Sequence, residues 1–214
     1  MFERFGKEGG RIHILEQTEM GKWLTNERWA LLYPIHLLGT SELLLKPGEY
    51  CITKDGNWEY LRSTRLKMTS LLPTLTKESK TTVKLVRKTF YKHPLTVDYR
   101  KTASKRVLKC YILDPHNKII EGEGPGTLVR KVYYDRIQKL YPKSEVYGSI
   151  EDPSKPVLFM VTTGIRTRNR SIVGVIASMN YGNTDCYITN KTTTEKSDCG
   201  QLKSGYNPPG IMEE

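Results

Sequence analysis

Val157-Leu-Phe-Met-Val161 and Ile172-Val-Gly-Val-Ile-Ala-Ser-Met179 are among the longest apolar runs of the chain. Each is as long as a strand, and neither shows the polar alternation of a strand with one wet face. Runs of this kind are covered on both sides and lie near the middle of a sheet. The segment between them carries Arg166-Thr-Arg-Asn-Arg170, which reads as a hairpin tip with three arginines projecting from a rigid base.

Working outward, Thr127 to Tyr141 predicts an amphipathic helix. Leu128, Val129, Val132, Tyr133, Ile137 and Leu140 share one face, Thr127 serves as N-cap, Lys139 suits the C-terminal dipole, and Pro142 stops the helix. Upstream, residues 106–113, the turn Asp114-Pro-His-Asn117 and residues 118–121 read as a hairpin. Val83 to Tyr91 fits a helix or a strand and ends at His93-Pro94. Residues 11–15 alternate as a first strand. Thr25 to Leu38 reads as roughly helical through Trp29, Leu32, Tyr33, Leu37 and Leu38, with a break at Pro34. Residues 43–61 form a meander around Pro47-Gly48 and Asp55-Gly56, and residues 186–189 add a last strand.

The expected fold is α+β: a mostly antiparallel sheet with one long helix, about 127–141, packed on it, and a mixed N-terminal third. By segment, 1–61 is a mixed α/β unit docking on the main body and 62–82 a connector. Residues 83–200 form the main body with its basic surface, and 201–214 a weakly ordered tail. At 214 residues the chain can bury roughly 70% of its unfolded surface.

Charge gives the functional lead. Between Lys77 and Lys109 eleven basic residues face two acids, Glu78 and Asp98, so this stretch carries +9 of the chain's net +11. Apolar residues are threaded through it, which marks a folded basic surface that attracts polyanions. The candidate nucleic-acid contacts are Lys84, Arg87, Lys88, Lys92, Arg100, Lys101, Lys105 and Arg106, together with Arg166, Arg168 and Arg170. Phe90, Tyr91 and Tyr99 are candidate stacking partners for bases.

Catalytic and metal motifs are weak. The cysteines Cys51, Cys110, Cys186 and Cys199 form no close pair of the kind zinc sites use, and free thiols are expected. Glu121-Gly-Glu-Gly-Pro-Gly126 lacks the G-x-G-x-x-G spacing and a P-loop lysine, and its two glutamates repel an anion. Asp98, Asp114, His116, Glu121 and Glu123 lack the spacing that would bind an ion together. His13, His36 and His93 have no nucleophile elbow to serve. No catalytic residue, metal or cofactor is therefore assigned.

The expectation is a non-enzymatic protein that binds nucleic acid, RNA or single strands before a specific duplex site, through phosphate contacts. The alternative is a structural or matrix-like component, viral in type, contacting an anionic membrane, a nucleoprotein or both. A metal-dependent nuclease is the third reading. A homo-oligomer is compatible with all three. With no secretory leader and no apolar run of membrane-spanning length, the expected setting is cytoplasm, nucleus or virion.

Overall fold

The computed structural model describes residues 11–53, 57–90, 93–100, 106–117, 126–149, 151–163, 169–179 and 186–189. Strands β1 (Ile12–Thr18), β2 (Gly21–Thr25) and β3 (Trp29–Pro34) form a meander. A 3-10 turn, Ile35–Leu37, and helix α1 (Thr40–Leu44) lead to the hairpin β4 (Gly48–Ile52) and β5 (Trp58–Arg62). Helix α2 (Met68–Ser79) precedes β6 (Val83–Arg87) and the small hairpin β7 (Thr89–Phe90) and β8 (His93–Pro94). Next come β9 (Thr96–Arg100), β10 (Val107–Asp114), β11 (Thr127–Arg130) and helix α3 (Lys131–Leu140). The last strands are β12 (Glu145–Gly148), β13 (Val157–Thr163), β14 (Asn169–Ile176) and β15 (Cys186–Thr189).

Among the described residues thirteen strands join one antiparallel sheet, ordered β15-β9-β10-β6-β12-β13-β14-β3-β2-β1-β4-β5, with β11 added beside β10. This overturns the α+β expectation: the molecule is dominated by sheet, and its α-helices are short, at 5, 12 and 10 residues. Two segments account for the difference. The first is Trp29–Pro34, where five of six residues are buried, so side chains of both parities are apolar. That pattern imitates a helix face, but it belongs to a strand covered on both sides, between β14 and β2.

The second is the start of the long helix. Thr127–Arg130 is a strand paired with β10, so the helix begins only at Lys131. Leu128 packs with Leu95, Val97 and Ile112, whereas Val129 packs with Tyr111 and Tyr133 in the larger core. Neighbouring residues that must point to opposite sides require extended backbone. The same pairing makes Thr127–Arg130 the described return strand of β10, while residues 118–121 lie outside the described residues. The ambiguous segment 83–91 resolves as strand at Val83–Arg87. The two apolar runs behave as expected, pairing antiparallel along β13 and β14 in the interior of the sheet.

Helix α3 lies on one face of this sheet, touching β10, β11, β3 and β14. Tyr133, Tyr134 and Ile137 form its buried stripe. Gly174 on β14 makes the contact close. A Cβ there would stand 2.8–2.9 Å from Ile137 Cδ1 and Cγ2, and Ile137 is only 1% exposed. Tyr134 stacks edge-on against Tyr111 (5.2 Å) and Phe159 (5.3 Å), and the Tyr141 hydroxyl donates to the Leu32 carbonyl at 2.6 Å.

The chain from β6 to β9 is one interrupted strand along β10. The Lys88 N–H donates to the Ile112 carbonyl (2.9 Å), and the Lys88 carbonyl accepts from the Leu95 N–H (2.7 Å). Between those two bonds Thr89–Phe90 and His93–Pro94 pair with each other in a separate two-stranded sheet.

The seat of helix α3 yields a stability test. Gly174→Ala should cost about 1–3 kcal/mol through overpacking, and Ile137→Ala about 2–5 kcal/mol through a cavity. Urea-unfolding midpoints of the double variant should show less than the summed loss, because removing the isoleucine frees the space the new methyl needs. Strict additivity would mean the two do not touch.

A second test concerns acid stability. Glu49 is buried between Arg11 and Arg62. The hydrogen bond from Arg62 outweighs the opposing effect of desolvation and holds the carboxyl below the usual range. A depressed folded pKa contributes stability above the unfolded carboxylate range, lost as pH falls through the folded value. Glu49→Gln should therefore flatten stability against pH below about 5, read from melting midpoints across that window.

Candidate nucleic-acid interface

Register separates the sequence-predicted basic residues onto two faces. Arg87 pairs with Leu113, which packs in the core under helix α3, so Arg87 lies on the helix side. Its guanidinium sits 5.2 Å from the Tyr111 ring and 5.3 Å from that of Tyr134. Lys84 pairs with Tyr147 and faces the other way. Its ammonium binds Glu145 at 2.7 Å, which raises the lysine pKa and lowers that of the carboxyl. Arg170 joins this second group, 4.9 Å over the Tyr147 ring.

Lys88 has a structural post. Its side chain is 5% exposed and its ammonium lies 3.3 Å from Asp114, itself 13% exposed. A lysine so placed is withheld from a polyanion. Asp114 also accepts from the His116 N–H at 2.7 Å, so the carboxylate is committed to the turn and the ion pair. Tyr99 is buried in the smaller core and offers no ring face for stacking. Lys92, Lys101, Lys105, Arg166, Arg168, Glu121, Glu123 and Tyr91 lie outside the described residues, as does the side chain of Phe90.

On the helix side the structure assembles a cleft that the sequence did not single out. Arg106, Val107 and Lys109 come from the start of β10, and Arg130, Lys131, Val132 and Asp135 from the β11–α3 junction. Together they line an open depression of about 400 Å³. Val107 and Lys109 share a face with Tyr111 by strand alternation, and Arg100, opposite Val107, belongs to the same face.

The cleft's cations differ in freedom. Arg130 donates to the Tyr133 hydroxyl at 2.7 Å and lies 4.7 Å over its ring. Lys131 binds Asp135 one turn along and stands 4.9 Å from the Tyr111 ring. Burial opposes its charge, but hydrogen bonding to Asp135 and Tyr111 prevails and its pKa is raised. Arg106 and Lys109 are exposed, with no ion pair among the described residues.

Lys109 lies in the counted basic stretch, and its shared face with Val107 was the available signal. Arg130 and Lys131 were hidden because a continuous helix from 127 places them on an ordinary solvated side. Among the described residues, no three His, Cys, Asp or Glu side chains gather as a metal site requires, and no helix is long and apolar enough to cross a membrane.

The split between structural and available cations is measurable. Lys88→Ala removes the charged partner of the half-buried Asp114 and should cost about 1–3 kcal/mol, whereas Arg106→Ala should stay within about 0.5 kcal/mol of the parent. Chemical denaturation of the two variants checks this. Equal midpoints would place Lys88 among the solvated lysines.

Compared with known protein families, curated proteins and solved structures, this chain matches none, so its functional reading stands on the geometry above.

Proposed function

We propose that this protein binds nucleic acid, RNA or single strands in preference to a specific duplex site, and does no chemistry on it. The observation that carries the reading is the cleft. Arg106 just before β10, Lys109 on β10, Arg130 at the end of β11 and Lys131 at the start of helix α3 bring four cations around one depression; among its described lining residues Asp135 is the one acid, and Asp98 stands opposite Lys109 on β9. Cations converging from separate elements suit a phosphate chain, whose charge dominates affinity.

The preference for single strands rests on the helix. Helix α3 turns Tyr133, Tyr134 and Ile137 into the core and lies against the sheet, so it is not free to enter a major groove. The described lining of the cleft has no aromatic ring, and Tyr111 and Tyr133, which lie under Lys131 and Arg130, are buried, so contacts go to phosphate and sequence preference is weak.

The test is the salt dependence of binding to labelled single-stranded RNA, single-stranded DNA and duplex. Log affinity should fall linearly with log salt, and Arg106→Ala and Lys109→Ala should each shallow that slope by about one unit. Lys84→Ala, on the other face, should leave it unchanged. Binding insensitive to salt, or to both cleft substitutions, overturns the reading.

A further inference from the structure

Arg87 and Lys88 are neighbours in sequence with opposite roles. Lys88 is buried and tied to Asp114, and its backbone N–H and carbonyl hold the chain in place beside β10. That anchor fixes Arg87, the last residue of β6, opposite Leu113 on the helix side, with its own side chain exposed. The guanidinium lies in the corner made by two buried rings, 5.2 Å from Tyr111 and 5.3 Å from Tyr134, which meet edge-on at 74°. Both rings attract the cation and hold it in one place. No carboxylate among the described residues pairs with it.

Arg87 does not line the cleft, yet it stands next along the same face. On β10 the residues Val107, Lys109, Tyr111 and Leu113 alternate onto that face, so Arg87 lies roughly 13 Å beyond Lys109 in the strand direction. Lys131 fills the interval. Its ammonium lies 4.9 Å from the centre of the Tyr111 ring and the Arg87 guanidinium 5.2 Å from it, so the two charges are no more than about 10 Å apart. Arg106, Lys109, Lys131 and Arg87 thus form a row of cations that starts in the cleft and leaves it past Tyr111. Asp98, opposite Lys109, and Asp135, bound to Lys131, are the acids beside this row among the described residues. They are two against five cations once Arg130 is included.

From this row we infer that the ligand of the cleft is an extended strand several nucleotides long, with Arg87 gripping a phosphate beyond the end of the cleft. This rests on the nucleic-acid reading and adds to it a minimum length of ligand and a further contact residue. A lone phosphate or a mononucleotide would occupy the cleft and leave Arg87 without a ligand. A phosphate chain running with β10 meets Arg106, Lys109, Lys131 and Arg87 in turn, and phosphates repeated along one backbone complement cations set in a line. The planar guanidinium suits the outermost contact. Its fork binds two phosphate oxygens at once, and a side chain already seated on two rings loses little freedom in doing so.

Fluorescence anisotropy with labelled oligouridylates of roughly four to twelve nucleotides, each over a series of salt concentrations, tests this. For the parent chain, the slope of log affinity against log salt should steepen with length and level off once the row is filled. Arg87→Gln should level off at a slope shallower by about one unit, its loss confined to strands long enough to reach position 87. Should Arg87→Gln lower the melting midpoint, Arg87→Lys still decides. It keeps the charge and hence the slope, but without the fork its affinity should fall for long strands alone. A plateau unchanged by Arg87→Gln but lowered by Lys109→Ala leaves the cleft as the whole site and overturns the inference. Equal losses at every length overturn it as well, because they mark a distant field and not a contact. If neither Lys109→Ala nor Arg87→Gln moves the slope, the reading of the cleft itself has failed, and this inference with it.

Discussion

The contact of Ile137 with the notch at Gly174 fixes where helix α3 lies, and the cleft follows from it. The helix touches β10 and β11 at one side of the sheet and β3 and β14 further along. A sheet whose separated strands meet one ten-residue helix must curl around it, as the right-handed twist of strands permits. With Ile137 seated, Tyr133 and Tyr134 are carried against Trp29, Tyr111 and Phe159. That in turn brings Lys131 above Tyr111 and beside the start of β10. The convergence of strand and helix cations is thus a consequence of core packing, several residues away from any of them.

The second constraint is the break between β6 and β9. Lys88 serves both strands with its backbone, and its ammonium closes onto Asp114 of β10. Without that pair the β7–β8 interruption would separate β6 from β9 with only backbone bonds to keep them aligned on β10. Burying a lysine is justified only when it is paired, and here the pair holds a strand interruption in register. A residue that looks in sequence like one more member of a basic run is therefore part of the scaffold.

The sequence revealed the strands whose pattern has one meaning. β13 and β14 are apolar at successive positions over strand length, and the β4–β5 hairpin has turn pairs at its ends. It misled where one chemistry serves two structures. In the segment read as helical from Thr25, the Asn26 side-chain oxygen accepts from the N–H groups of Arg28 and Trp29, as a helix cap would, but it does so in the turn of the β2–β3 hairpin. Capping and Asx turns use the same hydrogen bond. Thr127 was ambiguous in another way: Leu128 and Val129 fit a helical stripe until two cores, one on each side of the sheet, divide them. The site suffered from the second error, because reading Arg130 and Lys131 as helix interior hid their position at a junction. Charge density along the chain located Arg106 and Lys109, but it did not distinguish them from Lys88.

Local sequence logic fails at this same junction. Helix α3 starts at Arg130 with no side-chain cap and no acid in its first turn, and its first residue is Lys131. Capping and dipole both favour Ser, Thr, Asp or Glu in this region, and each departure costs roughly 0.3–2 kcal/mol. The helix recovers part of that through Asp135 and Tyr111, which hold Lys131 charged. At its other end the helix conforms, with Lys139 in the last turn. A chain free to choose for stability alone would reverse the charges at the first turn. That it keeps two cations there, where they join Arg106 and Lys109, is a local cost to stability of the kind that would accompany a functional surface, and it supports the reading proposed for the cleft.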